Sequence, residues 1–309
     1  MFVGHGLLAF ALVALGAERL GWDRAVVVRV AVLAGLFATL PDVDVVYGVV
    51  GLLGQPTGSV EAFWAAGNKV HRGLTHALPV GLATAGAVGL LARRDGWSLA
   101  GLLALCGLVV TATAVSGVLA GVVATVFVAG AVALTGLGWR FELSPRVVAG
   151  TALVGLLTHP FGDLFTGSPP AFLSPFDVVL VAERVTLSAD PTLHLLAAFG
   201  VELAVVWLAL AAACRVTGRR VTDQVGRRAA LGAVYGPVAL VVPAPTLDVS
   251  YQFVYSVLAV GAAGFAPTSV RPARPLGSLT RAQAPRMVAT ALATVSVAAG
   301  TYTLVYLLV

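Results

Sequence analysis

The chain is poor in charge. Of its 309 residues, 11% are Asp, Glu, Lys or Arg, against roughly a quarter in an ordinary soluble domain. That deficit excludes a solvated globular surface over most of the chain. Lysine is nearly missing: Lys69 stands alone, and arginine carries the net charge of +5. The arginines fall between apolar runs, where charge sets orientation in a bilayer, so no nucleic-acid partner is expected. Two cysteines, Cys106 and Cys214, are too few for a disulfide framework or a cysteine-based zinc site. Both lie in or at the end of apolar segments and read as small core residues.

What is present is apolar. Hydrophobic residues make up 59% of the chain, and the mean hydropathy is +0.96. Several runs approach the roughly 20 residues that a spanning helix needs. The composition predicts an all-α, polytopic membrane helical bundle with about eight to ten membrane segments. Helices are expected over 5–18, 25–40, 77–92, 147–158, 194–213, 229–242, 250–266 and 287–308. A short apolar piece covers 45–53. The long tract 98–137 exceeds one crossing and is split near Ser116-Gly117. Residues 160–192, rich in proline and acids, read as a structured polar loop, with a re-entrant portion as an alternative for part of it. Gly6 to Ala17 is short and apolar like a secretory leader, but no basic residue precedes it and Arg19, Arg24 and Arg29 follow. That polarity argues against a cleaved signal.

Placing every arginine cluster on the cytoplasmic side fixes the direction of each crossing. His5, Asp42, Asp44, His71, His76, His159, Asp163 and His194 then all fall at the extracytoplasmic end. This convergence matters because the chain has only five histidines, and carboxylates in apolar surroundings must be paired or bound to a cation. A divalent metal is the expected cofactor.

Asp42-Val43-Asp44 follows Leu40-Pro41, where proline stops a helix. In extended or turning backbone the two carboxylates would point the same way, toward one cation or bridging two. In His71-Arg72-Gly73-Leu74-Thr75-His76 the histidines are five apart and share no helix face. They converge if Gly73 turns the chain and Thr75 caps the next helix. Arg72 offers a planar fork for a phosphate or carboxylate. His159 and Asp163, four apart, share one helical face, with Pro160 suited to a first turn starting there. In Asp190-Pro-Thr-Leu-His194 the histidine is a ligand candidate, while Asp190 or Thr192 also suits a helix cap.

In this order the elements resemble the YdjM-like family of membrane-bound metal-dependent hydrolases: His5, Leu40-Pro41-Asp42-Val43-Asp44, His71-Arg72-Gly73-Leu74-Thr75-His76 and Thr158-His159-Pro160-Phe161-Gly162-Asp163, then the aromatic-proline stretch from Pro169 to Phe176. The resemblance covers about residues 1–180. It extends, in motif order, to zinc-dependent phospholipase C and related all-helical nucleases. It implies His5, Asp42, Asp44, His71, His76, His159 and Asp163 as ligands and zinc as the metal. The soluble relatives complete their site with His-x-x-x-Glu, whereas Ala198 follows His194 here. One or two ions are therefore expected rather than three.

The resulting expectation is an integral protein of a prokaryotic cell membrane. Residues 1–214 form the metal-site domain, and 215–309 form C-terminal membrane helices. Metal-activated water would hydrolyse a phosphoester of a membrane lipid or other amphiphile. Asp42 or Asp44 would act as base or bridging ligand, and Arg72 would neutralise substrate oxygens. The alternatives are a channel or transporter for a divalent cation or protons, and a non-catalytic scaffold stabilised by metal.

Overall fold

A computed structural model describes residues 2–49, 62–63, 72–265 and 283–309. Among them there is no strand. His71, Lys69 and residues 50–53 of the 45–53 piece lie outside the described residues. The chain divides into two compact units, residues 1–185 and 186–309. From the sequence alone, the boundary is expected at 214. By contacts, the helix that begins at Pro191 groups with the C-terminal unit.

The first unit contains α1 (Phe2–Arg19), α2 (Arg24–Thr39), α3 (Leu78–Leu91), α4 (Trp97–Arg140) and α5 (Pro145–Gly162). Asp23 starts α2 by accepting the Ala25 amide at 2.8 Å, a standard cap. Pro145 starts α5 at a position where its missing N–H costs nothing. α4 is two helical arms. Gly117, at φ 85 and ψ 177, breaks it, as the excess length of the apolar tract predicts. Any Cβ placed on Gly121 would collide with Thr113. Eight residues of straight helix would separate those positions by about 12 Å, so the second arm folds back on the first.

α1 packs on α2, α2 on α5, and α3 on both α4 and α5. The α2–α5 approach is close because Gly155 has no side chain. A Cβ there would fall 2.6 Å from the Ala34 carbonyl oxygen and 2.8 Å from the Ala38 nitrogen. The core is Leu33, Phe37, Val88, Leu105, Phe127 and Val148 with their neighbours. Leu99, Leu103, Val110, Val118 and Val122 on α4 are exposed, as side chains facing lipid would be. Chain direction separates two ends of this unit. Arg19, Arg24, Arg93, Arg140 and Arg146 mark one, while His5, Asp42, His76 and His159 lie at the opposite helix ends.

The second unit contains α6 (Pro191–Val216), a run of tight 3-10 turns over Arg227–Leu240, α7 (Ser250–Gly261) and α8 (Ala284–Leu308). An α-helical span was expected over 229–242. Gly232, Gly236 and Pro237 lie within the turns instead, and glycine and proline are the residues least suited to a helix interior. α8 packs against this run, α6 and α7, around Tyr235, Phe253, Val257 and Tyr302. Cys106 and Cys214 are both free. Among the described residues four helical segments, at Trp97–Arg140, Pro145–Phe165, Pro191–Val216 and Ala284–Leu308, are long and apolar enough to cross a membrane; Leu78–Leu91 is a shorter apolar helix.

Candidate metal centre

Five segments of the first unit bring their polar residues to one place. α1 supplies His5 from its first turn. The 3-10 helix Pro41–Tyr47 after α2 supplies Asp42 and Asp44, and the 3-10 turn Leu74–His76 before α3 supplies His76. The end of α5 supplies His159, and the turn Asp163–Phe165 supplies Asp163. His5, Asp44, His76, His159 and Asp163 are buried.

His159 lies at the centre. Its ring centroid is 4.0 Å from that of His5 and 4.6 Å from that of His76. Its Nδ1 is 2.6 Å from the carbonyl oxygen of Ala38. A carbonyl only accepts, so Nδ1 carries the proton and Nε2 presents a lone pair. That Nε2 is buried with no hydrogen-bond partner, and so is Oδ2 of Asp42. Oδ1 of Asp42 is 3.5 Å from His159 Nε2 and 3.6 Å from His76 Nε2. Oδ2 of Asp163 is 3.6 Å from His76 Nε2 and 3.9 Å from His159 Nε2, and its Oδ1 is 3.4 Å from His5 Nε2.

These spacings suit a cation. Four ligands about 2.1 Å from a tetrahedral zinc stand about 3.4 Å from one another, close to the observed range. Two triads have donor atoms within 4.8 Å of one another: His5, Asp42 and His159, and His76, His159 and Asp163. They share the single available nitrogen of His159, so they are parts of one centre. Charge agrees. Among the described residues three carboxylates, Asp42, Asp44 and Asp163, face one guanidinium, that of Arg72. Charging three touching imidazoles would set them against each other, whereas a divalent ion balances the excess.

The structure revises several roles read from the sequence. Asp42 and Asp44 lie on turning backbone, the 3-10 helix Pro41–Tyr47, yet they do not point the same way. The 3-10 helix turns them apart, and Asp44 lies behind His76, with Oδ2 3.6 Å from its Nδ1 and accepting the Arg72 amide at 3.3 Å. Asp44 thereby orients His76 instead of facing the cation with Asp42, as a carboxylate behind a ligating histidine does. Thr75 caps no helix; its Oγ1 is 3.1 Å from His76 Nδ1. The chain turns at Arg72, whose φ is 66, while Gly73 keeps φ −79. Pro160 is inside the end of α5 instead of starting a helix, although His159 and Asp163 do share a face.

Arg72 does not offer an open fork. Its Nη1 donates to the carbonyls of Thr166 and Ser168, and its Nη2 donates to Asp163 at 3.3 Å and Thr166 Oγ1 at 3.1 Å. It clamps the turn that carries Asp163. His194 belongs to the second unit, near the start of α6. There its Nδ1 accepts the Leu187 amide at 3.1 Å, and Asp190 caps the helix through the Leu193 amide at 2.8 Å. The Ala38 carbonyl and Thr166 were missed, since a main-chain acceptor leaves no mark in the sequence.

No curated protein and no solved structure matches the chain. The sequence model of a family described as YdjM inner membrane protein matches residues 1–246, and the chain belongs to that family.

Proposed function

We propose that the protein is a membrane-embedded, metal-dependent hydrolase acting on a phosphoester of a lipid-like substrate. The observation that carries this reading is the cluster of His5, Asp42, His76, His159 and Asp163, with the Nε2 of His159 and a carboxylate oxygen of Asp42 buried and lacking hydrogen bonds. Those five residues would hold the ion, for which zinc suits the imidazole-rich donor set. When bound, such an ion makes water nucleophilic near neutral pH and polarises a phosphoryl oxygen.

The remaining work falls to the chain. Ala38 and Asp44 fix the rings of His159 and His76. Arg72 holds Asp163 in place. Asp42 is the least buried acid of the set, which makes it the better placed of the two aspartates to take a proton from water. The donors gather at the helix ends opposite the arginines, so the positive-inside rule supports an extracytoplasmic site. Donors gathered at one end also favour surface chemistry over a cation pathway, which would need polar groups through the bilayer depth.

The test is the protein purified in detergent, with bound metal measured by mass spectrometry and phosphodiester cleavage of amphiphilic substrates assayed with and without chelator. We expect bound divalent metal, chelator-sensitive cleavage, and loss of both in His159→Ala. Metal-free intact protein defeats the reading. Cation flux in vesicles without cleavage replaces it with a transporter.

A further inference from the structure

The segment between α5 and α6, read from its prolines and acids as a polar loop with a re-entrant alternative, carries an exposed apolar tip. Phe176, Val178, Val179 and Leu180 are 64, 53, 74 and 57% exposed. The segment has a fixed base. The Phe172 carbonyl accepts the Leu78 amide at 2.8 Å, the Val185 amide donates to the Leu164 carbonyl at 2.8 Å, and the Ala171 amide donates to the Arg72 carbonyl at 3.4 Å. Its roots are therefore the residues beside Asp163 and Arg72 that build the metal centre. Its apolar surface continues from α5, where the exposed Phe161 ring lies 5.5 Å from that of Phe172.

Its place along the chain names what covers it. The segment joins two stretches long and apolar enough to span a membrane, Pro145–Phe165 and Pro191–Val216, so it starts and ends at a membrane boundary. Irregular backbone exposed to lipid is not tolerated in the hydrocarbon centre, but at the interface its amides meet headgroups and water. Asp177, Glu183 and Arg184, all exposed, suit that zone. We propose that Phe176, Val178, Val179 and Leu180 form an apolar tongue embedded in the phospholipid leaflet at the metal-site end of the first unit, with the Asp177 carboxylate kept at its headgroup edge. The tongue sets the rim of the centre at the acyl–headgroup boundary, where an amphiphile's polar ester group lies. Insertion itself is independent of whether the centre hydrolyses anything.

Spin labelling in phospholipid vesicles tests it. In full-length protein carrying Cys106→Ser, with Cys214 buried, a nitroxide is attached through Val179→Cys or, as the water-facing reference, Glu183→Cys. Collision rates are measured with oxygen, which concentrates in lipid, and with a water-soluble nickel chelate. At 179 oxygen collisions should exceed nickel collisions several-fold, and at 183 the order should reverse. Equal nickel access at both positions places the tongue in water and overturns the proposal. Shielding of 179 from both reagents places it against protein, in a second copy or elsewhere, and overturns it too.

Discussion

In the second unit, several polar side chains pair off one by one, although the Nε2 of His194 is buried without a hydrogen bond. Tyr235 shares a hydrogen bond with Ser256 at 2.6 Å, Trp207 donates to Ser296 at 3.0 Å, and Tyr306 donates to Asp190 at 3.0 Å. Threonines on α8 bond back to their own helix. In the first unit the buried imidazoles and carboxylates instead point at one another, at 3.4 to 3.9 Å. Pairing satisfies a polar group inside an apolar fold. Convergence, with the Nε2 of His159 and the Oδ2 of Asp42 lacking hydrogen bonds, is a costly arrangement that a cation would relieve. The contrast teaches that one unit spends its polar residues on packing and the other on a site.

Metal removal should separate the units most. A ligand present at a thousand times its Kd stabilises the folded state by about 4 kcal/mol. Chelation should therefore raise amide hydrogen exchange in peptides covering 72–80 and 155–166. Peptides of α7 and α8 should hardly change. Equal loosening of both units would erase the distinction.

Next in size is Arg72→Met. It leaves Asp163 without its guanidinium and frees the Thr166 and Ser168 carbonyls. Breaking one side of a buried ion pair costs about 3 kcal/mol or more. Thermal unfolding in detergent should show that loss, with Arg72→Lys recovering part of it, because lysine restores the charge but not the fork. An unchanged midpoint in Arg72→Met would return Arg72 to the open-fork role read from its motif.

Two glycines refine the comparison further. Gly155→Ala would push α2 off α5 and carry Ala38 away from His159, one turn further on. Gly232→Ala would place a methyl against Thr294 and Ala298 of α8. Each overpacking should cost about 2 kcal/mol. Only Gly155→Ala should also lower bound metal per chain. If both variants keep full metal content, the Ala38 carbonyl does not set the geometry of His159.

Much of this was legible because charge is scarce. His5, Asp42, His76, His159 and Asp163 stand out in an apolar chain, and arginine positions alone placed them at one end. Gly117 was legible from an apolar tract too long for one crossing. The roles of Asp44 and Arg72 were not. Residue type names a possible ligand, but which side of His76 a carboxylate takes depends on whether residues 41–47 are extended or wound. Nor does composition show that a proline-rich connector carries an apolar tip, because prolines and acids dominate the count while Phe176 to Leu180 dominate the exposed surface.

The smallest effect bears on His194, which the sequence groups with the other histidines. A ligating imidazole needs a free lone pair, and that of His194 is already occupied at Nδ1 by the Leu187 amide, which puts its proton on Nε2. His194→Ala should therefore remove one hydrogen bond, worth about 1 kcal/mol, and leave metal content as it is. Melting of the variant beside metal analysis decides the matter. If bound metal falls as far as in His159→Ala, the lone pair of His194 is free in the loaded protein. His194 would then count as a ligand, and the division between a packing unit and a site unit would fail at that histidine.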